Sequence, residues 1–376
     1  MPRQGEPQLF LGLISGTSVD SIDAALVDLA GGQARLVHAV NMPWPDAVRD
    51  RIFFSRILAD TQLHSLNDLD IEVAECFAEV TRKCLKEADV SAESVTAIGS
   101  HGQTIRHRPD GDAPFSLQLG NAERIAELTG IDVISDFRRA DIQAGGEGAP
   151  LVPAFHEAVF RDPAIDRVII NIGGISNITV LPSDSSHDVL GFDTGPGNNL
   201  MDAWCQRHRD LPYDDQGRFA ASGKTDVKLL ARCLMDDYFD IAPPKSTGFE
   251  YFNLQWLQGH MIEELLPEDV QSTLCDLTVT ANIRDINRYA ADTSEIYVCG
   301  GGAQNDEILR RLQDKTMAKV STTEALGVHP DWVEAMTFAW LAYRHVNELP
   351  GNLPSVTGAD KPVVLGSFSP VSEPAT

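Results

Sequence analysis

No stretch of the 376-residue sequence supplies the roughly 20 consecutive apolar residues that a membrane-spanning helix needs. The opening segment, MPRQGEPQLFLGL, lacks the long apolar core of a signal peptide. Both absences make the cytoplasm the expected location. Cysteine is sparse, and Cys76, Cys84, Cys205, Cys233, Cys275 and Cys299 form no CxxC pair and no Cys/His spacing suited to zinc. A zinc module and a disulfide scaffold are excluded, and reduced, mostly buried thiols are expected. Positive charge is also scarce: 30 Lys and Arg stand against 55 Asp and Glu, a net charge of -25. Such a surface repels nucleic acid and anionic membranes at long range, so neither is an expected partner. A small anionic ligand is still admissible, because one helix N-terminus or glycine turn supplies a local positive field.

Two common nucleotide signatures are missing as well. Gly223-Lys224-Thr225 resembles the end of a P-loop, but Arg218 stands where that motif needs its first glycine. The dinucleotide fingerprint GxGxxG fails too, since Gly195 and Gly197 are followed by Leu200.

What the chain does have is enough length for two domains and a hydrophobic content of 43%, normal for a folded protein. Leu9 to Leu29 and Val168 to Leu181 share one plan: an apolar strand, a glycine turn (Ser15-Gly16-Thr17-Ser18 and Gly173-Gly174), then a second strand. Helical spacing over Leu66 to Ala88 and the strand VTAIGS before His101 follow the first hairpin. A strand into Phe192, helices near Leu200 to Arg207 and Val227 to Met235, and the strand EIYVCGG follow the second. This order predicts a duplicated α/β architecture with a central cleft. The expected domains are 8–162 plus about 340–365, and 163–339. A last helix is expected over Asp331 to Asn347, and the Ser/Pro-containing tail 366–376 is expected to lack order.

Four glycine-rich segments end apolar strands: Ser15 to Ser18, Gly173-Gly174, Thr194-Gly195-Pro196-Gly197 and Gly300-Gly301-Gly302. Glycine lets backbone N–H groups approach phosphate oxygens with no Cβ in the way. A single such segment is usually just a turn, whereas four of them favour a nucleotide. Phosphoryl transfer also needs a carboxylate-held metal and a base that orients the nucleophile. Asp193, at a strand end before a glycine turn, is the base candidate, and Asp20 and Asp23 can reach magnesium directly or through water. The competing reading of Asp193 is a turn-capping aspartate.

The strings SGTSVDSID, GSHGQTIRHRP, LGNAERIAELTGIDVISDFRRADIQAGGEGAPLVPAFH, NIGGISNIT, FDTGPGNNLMDAW, PPKSTGFEYFN and CGGGAQN resemble the anhydro-N-acetylmuramic acid kinase family from about Leu9 to Ala359. The resemblance implies a duplicated actin-like, ribonuclease H-like ATPase fold. It also implies a cell-wall recycling reaction in which ATP, water and 1,6-anhydro-N-acetylmuramic acid give N-acetylmuramic acid 6-phosphate and ADP. By similarity Asp193 activates the water. Gly16, Thr17, Ser18, Asp20, Ser21, Asp23, Gly173, Gly174, Gly195, Gly197, Lys245, Gly300, Gly301, Gly302 and Asn305 fall to ATP, with Asp20 toward Mg2+. Ser100, His101, Asp136, Arg138, Asp141 and Glu334 fall to the sugar, with Arg138 or Arg139 facing its lactyl carboxylate. Ser21, Asn199, Phe249 and Tyr251 depart from the family pattern. A kinase of a free sugar hydroxyl and a non-catalytic ATP sensor are the alternatives. A homodimer is compatible with the chain but not legible in it.

Overall fold

The computed structural model describes residues 7–16, 19–57, 63–109, 111–261 and 264–372. The chain divides into two compact units, residues 1–155 with 332–376, and residues 156–331.

In the first unit the chain runs β1 (Leu9–Ser15), β2 (Ser21–Asp28), β3 (Arg35–Pro43), β4 (Val95–Arg108), β5 (Phe115–Leu119) and β6 (Val133–Ser135). The second unit holds β7 (Arg167–Ile172), β8 (Ile175–Leu181), β9 (Leu190–Pro196), β10 (Glu295–Cys299) and β11 (Lys319–Thr322), and β12 (Ser367–Ser369) returns to the first. The first sheet runs β12-β6-β4-β1-β2-β3 with β5 paired to β4, and the second runs β11-β10-β7-β8-β9. In both, the first strand pairs antiparallel with the second and parallel with the fourth. The two halves thus share one topology, that of a ribonuclease H-like fold, and its duplication is the actin-like ATPase architecture.

The sequence dictates these central strands. Every residue of β1 is buried, as are Val168 to Ile172 in β7, the continuous apolar pattern of strands covered on both faces. On the first sheet the Val333–Val346 helix packs against β1, β2 and β4. Contact there is so close that a Cβ on Gly12 would lie 1.8 Å from the carbonyl oxygen of Ala335. Glycine inside a strand is unfavourable by itself, and here this helix explains it. In the second unit the Pro267–Tyr289 helix is buried along most of its length and carries polar residues inward. Asn282 Oδ1 accepts from Ser176 Oγ and Thr194 Oγ1, and Thr278 Oγ1 donates to the carbonyls of Pro196 and Gly197. Those bonds pin β9 and the turn after it.

Three expectations need correction. The units divide at Phe155/His156 and at Asp331/Trp332, not at 162/163 and 339/340. The 333–346 helix belongs wholly to the first unit, because its buried face covers that unit's sheet. The tail is not without order throughout, since Ser367 to Ser369 pair antiparallel with Ser135 to Val133.

Candidate active site

Three of the four glycine segments meet within the second unit. Gly173 and Gly174 form the β7–β8 turn, and their carbonyls accept from Asn198 N at 2.8 Å, Gly197 N at 2.9 Å and Asn199 N at 3.1 Å. Asn198 Nδ2 donates to the Ile172 carbonyl at 3.1 Å. A Cβ at Gly197 would lie 2.3 Å from the Gly173 oxygen, so this backbone-to-backbone approach requires glycine. Parallel pairing sets Cys299 opposite Asn171, which brings Gly300 to Gly302 alongside the same strand end. The result is a set of glycine-containing backbone turns gathered at neighbouring strand ends.

Asp193 occupies the next strand. Its backbone N–H donates to the Lys245 carbonyl at 3.2 Å, and its own carbonyl accepts from Tyr238 Oη at 2.8 Å. Oδ2 accepts from Thr247 N at 3.0 Å. Burial pushes the carboxyl up to about 7, against the pull of the Thr247 N–H and the Lys245 charge. A carboxylate poised near neutrality holds or releases a proton at physiological pH, as a general base must.

The first unit contains a polar cavity of about 200 Å³ lined by, among others, Asp70, Ser100, His101, Gln118, Asp136 and Arg139. His101 Nδ1 lies 2.9 Å from the Gly102 carbonyl and Nε2 lies 2.8 Å from Arg138 Nη2. Since guanidinium only donates, Nε2 accepts and Nδ1 carries the proton. Burial, joined by the Arg138 charge, holds His101 well below its ordinary value, so the ring is neutral. It packs on Phe338, ring centroids 4.6 Å apart, one helical turn beyond Glu334. Arg138 also donates to the Gly148 carbonyl at 2.7 Å. Burial lowers its pKa to about 10, opposed by Glu334 and Asp141, and it stays cationic at neutral pH. Asp136 takes a left-handed conformation, φ 55°, and pairs with Arg139. Burial raises the Asp136 carboxyl, with Arg139 opposing. Ser100 Oγ is buried and has no hydrogen-bond partner in the protein, an open valence for a ligand.

A profile of the anhydro-N-acetylmuramic acid kinase family matches residues 8–371. The chain belongs to that family. A kinase of this name from Coxiella burnetii (strain RSA 493 / Nine Mile phase I) is 46% identical over 96% of both chains. One from Nitrosospira multiformis is 47% identical over 96% of this chain and 98% of its own. Another, from Shewanella sp. (strain ANA-3), is 49% identical over 95% of this chain and 97% of its own.

Among the residues singled out in the sequence, Asp141, Lys245 and Asn305 take other places than expected. Thr17 and Ser18 lie outside the described residues. Gly16 is exposed, and its carbonyl accepts from Gln103 Nε2 at 3.3 Å. Asp20 is exposed beside it, and Ser21 Oγ donates to Asp23 Oδ1 at 2.9 Å. Asp141 is fully buried, and its oxygens accept from Gly148 N, Asn352 Nδ2 and Thr357 Oγ1. It tethers two loops and has no face left for a sugar. Lys245 does not present its ammonium to a phosphate: Nζ lies 3.0 Å from Asp285 Oδ2, both side chains buried. Asn305 Oδ1 accepts from Glu307 N and Ile308 N, capping the Asp306–Lys315 helix instead of reaching outward. Of the two candidate arginines, Arg139 lines the cavity and Arg138 holds His101. Asn199, out of pattern in sequence, donates from Nδ2 to the Phe252 carbonyl at 2.6 Å.

Sequence reasoning missed Asp70 and Gln118. Asp70 lies on the Leu63–Glu87 helix, where a lone aspartate reads as solvated surface, but it accepts from Gly120 N at 2.7 Å and Asn121 Nδ2 at 3.2 Å. The Asn-Ala-Glu start of the next helix was the available signal, since a cap so placed needs something to orient its loop.

Proposed function

We propose that this protein uses ATP and water to open 1,6-anhydro-N-acetylmuramic acid and phosphorylate its O6, in the cytoplasm, where its six buried free thiols stay reduced. Asp193 carries the reading: a half-buried carboxyl near neutrality, on the strand that leads into the glycine turns. Its carboxylate takes a proton from water as the water oxygen bonds to the anomeric carbon. The C1–O6 bond breaks, O6 bonds to the γ-phosphorus, and the bond from phosphorus to the β,γ-bridging oxygen breaks to leave ADP. The polar cavity of the first unit takes the sugar. Ser100 Oγ orients a hydroxyl, His101 shapes the wall beside it with both ring nitrogens held by Gly102 and Arg138, and Arg139 pairs with the lactyl carboxylate.

Among the described residues no group of three or more His, Cys, Asp or Glu side chains could hold a metal. Magnesium takes few protein ligands and draws the rest from phosphates and water, and exposed Asp20 would be its protein contact. There it would neutralise charge on the transferring phosphoryl group.

The test is mass detection of N-acetylmuramic acid 6-phosphate after mixing the protein with the anhydro-sugar and MgATP, and its loss with a chelator. Phosphorylation of free amino sugars with no turnover of the anhydro-sugar would replace this reading with that of an ordinary sugar kinase.

A further inference from the structure

Residues 244–249 form a strap along β9 at Asp193, and one ion pair fastens it. Lys245 reaches inward from the strap to Asp285 on the 267–289 helix, Nζ to Oδ2 3.0 Å, with 2% and 6% of the two side chains exposed. Tyr238 and Phe192 cover the ammonium, its Nζ lying 5.0 and 5.6 Å from their ring centroids. Such a pair is costly to bury and gives little net stability, so its placement calls for a reason other than stability. The strap supplies that reason. One residue holds the pair and also accepts Asp193 N through its carbonyl, and two residues on, Thr247 N donates to Asp193 Oδ2.

We infer that Lys245 and Asp285 are positioning residues for Asp193: the pair clamps the strap so that Thr247 N meets the carboxylate, and the fixed ammonium sets that carboxylate's affinity for a proton. The titratable groups facing Asp193 among the described residues are Lys245 on the strap and Tyr238 on the turn Asp237–Asp240, with Asp285 on the long helix behind Lys245. Lys245 stabilises the ionised carboxylate, and Asp285 restrains how near the ammonium comes. The two partners therefore act on Asp193 with opposite sign. The inference rests on the reading of Asp193 as the base, but its test does not need that reading.

The experiment is a carboxyl carbon-13 NMR titration of aspartate-labelled protein, with the Asp193 resonance assigned by its disappearance in Asp193→Asn, alongside steady-state kinetics. Lys245→Met is expected to move the Asp193 titration up by about one unit and Asp285→Asn to move it down, with KM for ATP within about twofold of the parent in both. Lys245→Arg, which keeps the charge, should titrate near the parent. The doubly neutral Lys245→Met/Asp285→Leu guards against misfolding of the singles and should shift upward too, because the charge nearer Asp193 is lost. A rise in KM for ATP of about tenfold in Lys245→Met with the resonance unmoved would make Lys245 a phosphate ligand and overturn the inference. An unmoved titration in every folded variant would leave the pair purely structural and overturn it equally. If Asp193→Asn keeps full activity, the assignment of the base falls while the titration result stands.

Discussion

Thr247 donates its backbone N–H to Asp193 Oδ2 at 3.0 Å, and that bond joins the strap to the Asp193 side chain on the strand that leads into the glycine turns. A capping aspartate would draw its donors from the turn it closes. Asp193 draws this donor from a segment 54 residues away and is half-buried, which suits a chemical role better than a turn-stabilising one.

Asp193→Asn keeps the shape and removes the proposed base. It is expected to lower kcat by about 10²–10⁴-fold, the usual contribution of a positioned proton acceptor. Calorimetric titration with ATP should give nearly parental affinity. Activity within a few-fold of the parent would take Asp193 out of the mechanism.

The base must be ionised to accept a proton, so the raised pKa has a direct sign. With a carboxyl at about 7, the ionised fraction falls as pH drops through 7, and kcat/KM should fall with it. Above this point a plateau is expected. A profile flat from pH 5 to 8, measured with stability checked at each pH, would show that Asp193 does not limit the reaction.

Asp141 and Arg139 lie two residues apart yet should fail differently. Asp141→Ala strands three donors and should cost about 2–5 kcal/mol of stability, read by denaturant unfolding. Arg139→Ala, on an exposed side chain, should leave stability nearly unchanged and raise KM for the sugar. Equal effects of the two on sugar KM would contradict the division.

Gly197→Ala puts a methyl 2.3 Å from the Gly173 oxygen, whereas Gly301→Ala meets nothing nearer than 3.6 Å. The first is expected to weaken ATP binding and lower kcat, since the two turns must part. The second should be mild. Comparable ATP affinities for both variants would mean that the Gly173–Gly197 approach is not part of the phosphate site.

How much of this was legible follows from what each signal depends on. The central strands and the glycine turns could be read because local patterns fix them: VIINIGG is a buried strand and its turn in any context. The strand bearing Asp193 could be read for the same reason, although Asp193 sits in the middle of that strand and not at its end. Asp141 could not, because only the short helix after Arg138 turns it inward toward Asn352 and Thr357, more than 200 residues on. Lys245 follows two prolines and precedes Ser-Thr-Gly, which looks like an exposed binding loop. Its partner Asp285 lies on a helix whose other polar residues, Thr278 and Asn282, are also turned inward, so no amphipathic stripe marks the helix as buried. Pairings that span the fold leave no periodic trace.

The most direct measurement runs the reaction in oxygen-18 water at short times, before the reducing sugar exchanges its anomeric oxygen. One oxygen-18 is expected in the anomeric hydroxyl of N-acetylmuramic acid 6-phosphate and none in its phosphate group. Label in free phosphate, with the sugar unlabelled, would mean that water attacks ATP instead of the sugar, and would contradict the role given to Asp193.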